Sequence, residues 1–172
     1  MKLHSNFSIN GKIYEKGTEV PSLTIYLFFL LHMAVFGGSG FFMAYAKTQV
    51  PIFFLYLHGG FAILIYTIFY LSIFGVDEVK WMFINAGLGL FGIYTQIDWI
   101  LALFGRNIRT YPLYVHVIPF LYFVLYTFLL RQFVLDLAGA RDDPEKKKAT
   151  EIYYVVGSTL FYVMLYLFLK RR

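Results

Sequence analysis

The sequence predicts an all-α integral membrane protein, a bundle of five transmembrane helices preceded by a short extramembrane arm. Three observations carry that expectation. Hydrophobic residues make up 59% of the 172-residue chain and charged residues 15%, against roughly half and a quarter in soluble domains. Phe 20, Tyr 15 and Trp 2 make it 22% aromatic, more apolar surface than a small folded domain can hide from water. Five apolar runs also reach the roughly 20 residues a helix needs to cross a bilayer. With Cys 0, a disulfide scaffold and thiolate chemistry are excluded.

Residues 1–21 are polar enough to lie outside the membrane. Within them, Asn10-Gly11 sits between two short alternating runs, Phe7 to Ile9 and Lys12 to Tyr14, a signal for a type I′ β-hairpin. The bundle follows over residues 22–172, with spans at 22–46, 50–74, 79–104, 112–136 and 149–169. Pro21 and Ser22 open the first span, as a proline and a hydroxyl suit a helix N-terminus. Lys47 to Pro51 makes a tight turn into the second. Gly75 ends that helix and Asp77 caps the third. Gly105 to Pro112 separates the third and fourth. Asp143-Pro144-Glu145 supplies a cap, a first-turn proline and a first-turn acid, so the fifth helix begins in water.

Five spans place the termini on opposite sides. The C-terminal side carries Lys47, Arg106, Arg109, Lys170, Arg171 and Arg172 with no acid in its loops. The other side carries the remaining basic residues and nearly all the acids. Because the orientation rule counts Lys and Arg near helix ends, the undiluted cluster favours a cytoplasmic C-terminus in a cell inner membrane. The formal charge of +5 is ordinary for a membrane protein and points to no nucleic acid.

Polar groups at membrane depth are costly and draw attention to function or specific packing. They are His32, His58, Asn85, Gln96, Asp98 and His116. From the helical rise, His32 and His58 fall near the midplane of antiparallel neighbours. Two such imidazoles, with Gly37-Gly38 and Gly59-Gly60 beside them, suit a haem b or metal site. Neutral histidines also serve as hydrogen-bonding groups among closely packed helices. Asp98 and His116 fall at similar depth and are candidates for a pair, either structural or proton-handling. Pro119 is expected to bend the fourth helix inside the membrane.

The third span places Trp81, Asn85, Gly89, Gly92, Gln96 and Trp99 on one face. Gly87, Phe91, Tyr94, Asp98 and Ala102 share the other. Small and polar residues on both faces mark this helix as the expected hub, with Gly87, Gly89 and Gly92 as packing positions. Lys146, Lys147 and Lys148 are candidates for lipid-headgroup contact.

No Gly-rich phosphate loop, metalloprotease motif, nucleophile elbow or carboxylate dyad is present. The sequence therefore favours a non-catalytic subunit or accessory protein working beside other membrane subunits, without a cofactor. Two alternatives stand beside it. One is a redox anchor binding haem b or quinone through His32 and His58. The other is a small carrier for a proton-linked or lipophilic ligand, centred on Asp98 and His116 with Gln96 and Asn85.

Overall fold

A computed structural model describes residues 2–9, 11–46 and 50–170. Two short strands, β1 (Phe7–Ile9) and β2 (Lys12–Tyr14), pair antiparallel with Phe7 opposite Tyr14 and Ile9 opposite Lys12. Asn10, the first residue of the expected turn, lies outside the described residues. Six helices follow: α1 (Ser22–Ala44), α2 (Ile52–Phe74), α3 (Val76–Leu88), α4 (Leu90–Leu103), α5 (Val117–Leu137) and α6 (Pro144–Lys170). Lys47 to Gln49, most of the expected α1–α2 turn, lie outside the described residues, as do Arg171 and Arg172.

Among the described residues, four segments are long and apolar enough to cross a membrane: α1, α2, residues 113–137 including α5, and α6. Such a set is compatible with an integral membrane protein. The third expected span is not one helix but two, of 13 and 14 residues. Each is about 20 Å long, short of the roughly 30 Å hydrocarbon core. They meet at Gly89, whose φ of −84° and ψ of 1° leave the helical region. Glycines at 87 and 89 lower helix propensity at this point, and the ladder breaks there.

The centre of the bundle is α5, not the third segment. It packs against α1, α2, α3, α4 and α6. Its sockets are glycines on its neighbours. A methyl group at Gly59 of α2 would stand 2.3 Å from Ile118 Cγ2, and one at Gly37 of α1 would stand 3.1 Å from the Tyr122 ring. Of the glycines that the sequence set beside a macrocycle, Gly37 and Gly59 therefore seat α5 side chains instead, while Gly38 and Gly60 face open space. One turn on, the rings of Tyr70, Phe74 and Phe128 meet at 5.2–5.6 Å, a range in which edge and tilted ring contacts are favourable.

Pro119 does not bend a membrane helix. Residues 113–116 form a 3₁₀ turn, α5 begins at Val117, and the proline falls in the first turn, where it displaces no helical hydrogen bond. At the head of α6 the expected cap forms: the Asp143 carboxylate accepts from the backbone N–H groups of Glu145 and Lys146, both at 3.0 Å.

The N-terminal arm docks on one end of the bundle. Leu3 is buried, and the His4 and Ser5 N–H groups donate to the Ser72 carbonyl at 2.9 and 3.2 Å. They satisfy an acceptor that the end of α2 leaves free. That end also holds the start of α1 and α3, the close of α5 and the start of α6. The opposite end holds Tyr45, Tyr111 and His116 in mutual contact. Together α3 and α4 lead the chain from the first end to the second.

Candidate functional site

Three places in the bundle concentrate polar groups or space. The first is an ionic network at the N-terminal end. Glu78, in the first turn of α3, accepts from Arg131 Nη1 at 2.7 Å, Gln132 Nε2 at 2.8 Å and Lys147 Nζ at 2.5 Å. The second guanidinium nitrogen of Arg131 pairs with Glu151 of α6. Arg141, in the α5–α6 loop, pairs with Asp136 and donates to Gln132 Oε1 at 2.9 Å. The Tyr26 hydroxyl of α1 donates to Asp136 at 2.6 Å. Three cations and three anions thus compensate one another across four helices and a loop. Arg131 and Gln132 are buried, at 8% and 0% exposure, and burial at that level is tolerable only with such complete pairing.

Electrostatics follow from the geometry. Burial pushes the Glu78 carboxyl up, but hydrogen bonds from Lys147, Arg131 and Gln132 outweigh it and hold the group at about 2. Burial likewise disfavours the charged Arg141, yet Asp136 and Tyr26 more than offset it and raise its value.

Behind this network lies the second place, a cavity of about 450 Å³ between α3, α4, α5 and α6. Arg131, Lys147 and Glu151 line its charged end, and Phe91, Thr127, Tyr154 and Tyr162 its interior. Tyr154 donates to the Thr127 carbonyl at 3.3 Å, and Gly92 packs under the Tyr162 ring, where a methyl group would stand 2.6 Å away.

The third is a groove of about 660 Å³ between α1 and α2 on the outside of the bundle. Its lining includes both expected histidines, Tyr66, and the rings of Phe28, Phe36, Phe54 and Phe61. The histidines share the groove but not a level. His58 Nε2 lies 2.8 Å from Ser39 Oγ, so His58 sits opposite a residue seven positions beyond His32, roughly 10 Å along the axis. A single metal ion takes imidazole nitrogens at about 2 Å each, a span this separation exceeds. His32 Nδ1 bonds the Phe28 carbonyl at 2.8 Å, with the two rings 4.0 Å apart.

The other expected residues are placed as follows. His116 and Asp98 do not meet: His116 Nδ1 bonds the Tyr45 hydroxyl at 2.8 Å, and Nε2 lies 3.3 Å from the Tyr111 carbonyl. Asp98, half-buried on α4, has no hydrogen bond or ion pair among the described residues. Gln96 Oε1 is buried without a partner among them. Asn85 lies in α3, its side chain outside what the structure describes. Lys147 joins the ionic network, whereas Lys146 and Lys148 are exposed. Gly87 faces open space. Among the described residues no cluster of three metal-ligating side chains forms.

Arg131, Gln132 and Glu78 carry no expectation from the sequence, although a signal exists. An arginine and a glutamine in an apolar run, a turn before its end, imply an acid at the same depth on a neighbouring helix. In comparisons with known proteins, no family model matches the chain, and no curated protein or solved structure matches it.

Proposed function

We propose that the chain is a non-catalytic, multi-pass membrane subunit that presents α6 to the helices of a partner in a larger membrane assembly. The observation supporting this reading is the exposure of α6. Its most apolar 18 residues have a mean hydropathy of 1.8, and not one residue of the helix is buried, whereas 39% of the corresponding stretch in the span containing α5 is buried. Ion pairs hold its first turns, and Tyr154 and Tyr162 hold its inner side. Its outer side carries Gly157, exposed and with nothing within 4 Å of an added methyl group. Lipid contact gives no reason for a glycine that costs about 1 kcal/mol of helix propensity. A second helix does, because small residues let backbones approach.

In this reading α3 and α4 together make the fifth crossing, over about residues 79–104, with the termini on opposite sides of a cell inner membrane. The C-terminus, carrying Lys170, Arg171 and Arg172, faces the cytoplasm. The charged network lies at the N-terminal membrane surface, where it fixes the angle at which α6 leaves the bundle.

Purification from its native membrane in a mild detergent tests the proposal. The expected result is co-elution with a membrane partner that Gly157→Leu releases while the melting temperature of the isolated chain stays unchanged. Elution alone in every mild detergent would refute it.

A further inference from the structure

Hydrogen-bonding capacity is left unused in the α1–α2 groove, and its chemistry can be read from the tautomers. A backbone carbonyl only accepts, so His32 Nδ1, bonded to the Phe28 carbonyl, carries the ring proton. Nε2 of the neutral imidazole is then a bare lone pair. Ser39 Oγ donates its single proton to the Phe36 carbonyl at 2.9 Å. With that proton so placed, it accepts from His58 Nε2 at 2.8 Å, an assignment that puts the ring proton on Nε2 and leaves His58 Nδ1 bare. Neither bare nitrogen has a partner among the described residues. A third group adds to them: the Tyr66 hydroxyl, on a residue 5% exposed, is buried with no partner among the described residues.

The heights of these groups are related. His58 is level with Ser39, roughly 10 Å below His32. Tyr66, eight residues further along antiparallel α2, climbs back roughly 12 Å to the level of His32, where its ring meets Phe29 at 6.1 Å. The groove thus offers an acceptor and a hydroxyl at one height and a second acceptor two turns away, between walls of phenylalanine.

We propose that this groove binds the ring of a lipid-soluble para-quinol, with one hydroxyl donating to His32 Nε2 and the other to His58 Nδ1. The oxygens of such a ring are about 5.5 Å apart, and a hydrogen bond of about 2.8 Å at each end lets it span roughly 11 Å, comparable with the offset of the histidines. The oxygen held by His32 still has lone pairs, which suit the Tyr66 hydroxyl as donor. The volume of about 660 Å³ falls among ordinary small-molecule sites. No lysine or arginine is among the residues lining the groove, which favours a neutral head over a carboxylate or phosphate. An acyl chain fills the space but satisfies neither nitrogen, and the oxidised quinone has no proton to give them. The inference concerns binding alone and is independent of the partner proposed for α6.

Calorimetry on the full chain in lipid nanodiscs tests it with three probes: a decyl-substituted 1,4-hydroquinone kept reduced, its 1,4-dimethyl ether, and the corresponding 1,4-benzoquinone. The hydroquinone is expected to bind at least tenfold more tightly than the other two. Equal affinities, which would mark the groove as an acyl-chain slot, or no binding of any probe, would overturn the assignment. His32→Leu, a change at an exposed position, is expected to weaken the hydroquinone about fivefold and leave the ether unchanged. A folded His32→Leu protein with undiminished hydroquinone affinity would also overturn it. The three-probe comparison on the unaltered chain decides the matter should that variant fail to fold.

Discussion

Glu78 shows how one side chain ties the end of the bundle together. It receives three hydrogen bonds, two of them charged, from α5 and α6. Its carboxyl is held at about 2, below the ordinary 4.5. A carboxylate lowered on folding stabilises the protein fully above its ordinary value, and the stabilisation fades as pH falls through the folded one. Thermal melts in detergent should therefore show a loss of stability between pH 4.5 and about 2 that Glu78→Gln largely removes. Parallel decline of both proteins across that window would show that Glu78 does not carry the effect. Arg131 is the more costly residue to lose. Its removal leaves Glu78 and Glu151 partly uncompensated, and breaking a buried pair from one side costs about 3–5 kcal/mol. For Arg131→Leu we expect a fall in apparent melting temperature of about 10 °C. Adding Glu78→Gln and Glu151→Gln should recover much of that loss, since a neutral, well-packed replacement removes the uncompensated charge.

At the scale of elements, α5 organises the fold through the glycines of α1 and α2. The prediction is a pair of opposite signs on adjacent residues. At Gly59 an added methyl group would stand 2.3 Å from Ile118 Cγ2, whereas at Gly60 it meets nothing within 4 Å. Gly59→Ala should destabilise by about 1–3 kcal/mol through overpacking. Gly60→Ala should be neutral or mildly stabilising, by up to about 1 kcal/mol of helix propensity. In a double-mutant cycle with Ile118→Ala, the cost at Gly59 should shrink; additive effects would mean that the two residues are not in contact. Within the third segment, Gly92 under Tyr162 and Gly87 in open space should contrast in the same way. These pairs show where the sequence was legible. Apolar run length marked α1, α2, α5 and α6, and Asp143 marked the start of α6. The centre of the bundle was not legible, because a glycine reports that its backbone is approached but not by which helix. The ion network stayed hidden for a related reason: Glu78 and Arg131 are 53 residues apart in sequence, and only the packing of α3 on α5 joins them. That His32 and His58 lie on neighbouring antiparallel helices was legible. Their two-turn offset was not, since it depends on where α1 and α2 meet.

For the whole molecule, the two ends of the bundle differ in kind. One is ionic and covered by the N-terminal arm, with Arg141, Asp136 and Tyr26 in contact. The other is aromatic, with His116 held between Tyr45 and Tyr111. Since α3 begins at the ionic end and α4 leads to the aromatic one, a bilayer that encloses α1, α2, α5 and α6 also encloses the broken pair. The buried Gln96 Oε1, without a partner among the described residues, then lies inside the membrane on a helix of only 14 residues. This is tolerable only because α4 is packed against α5 and α6 instead of standing alone in lipid. The count of crossings decides the topology: five place the termini on opposite faces, four place them on one. A chain with Cys 0 allows a clean measurement, with single cysteines introduced in place of Lys2 and Arg172 and labelled from each side of sealed vesicles. Labelling of the two positions from opposite sides is the expected result, with the C-terminal cysteine reached from the cytoplasmic face. Labelling of both from one side would mean that α3 and α4 enter and leave by the same surface, and the ionic and aromatic ends could not then lie at opposite faces of the membrane.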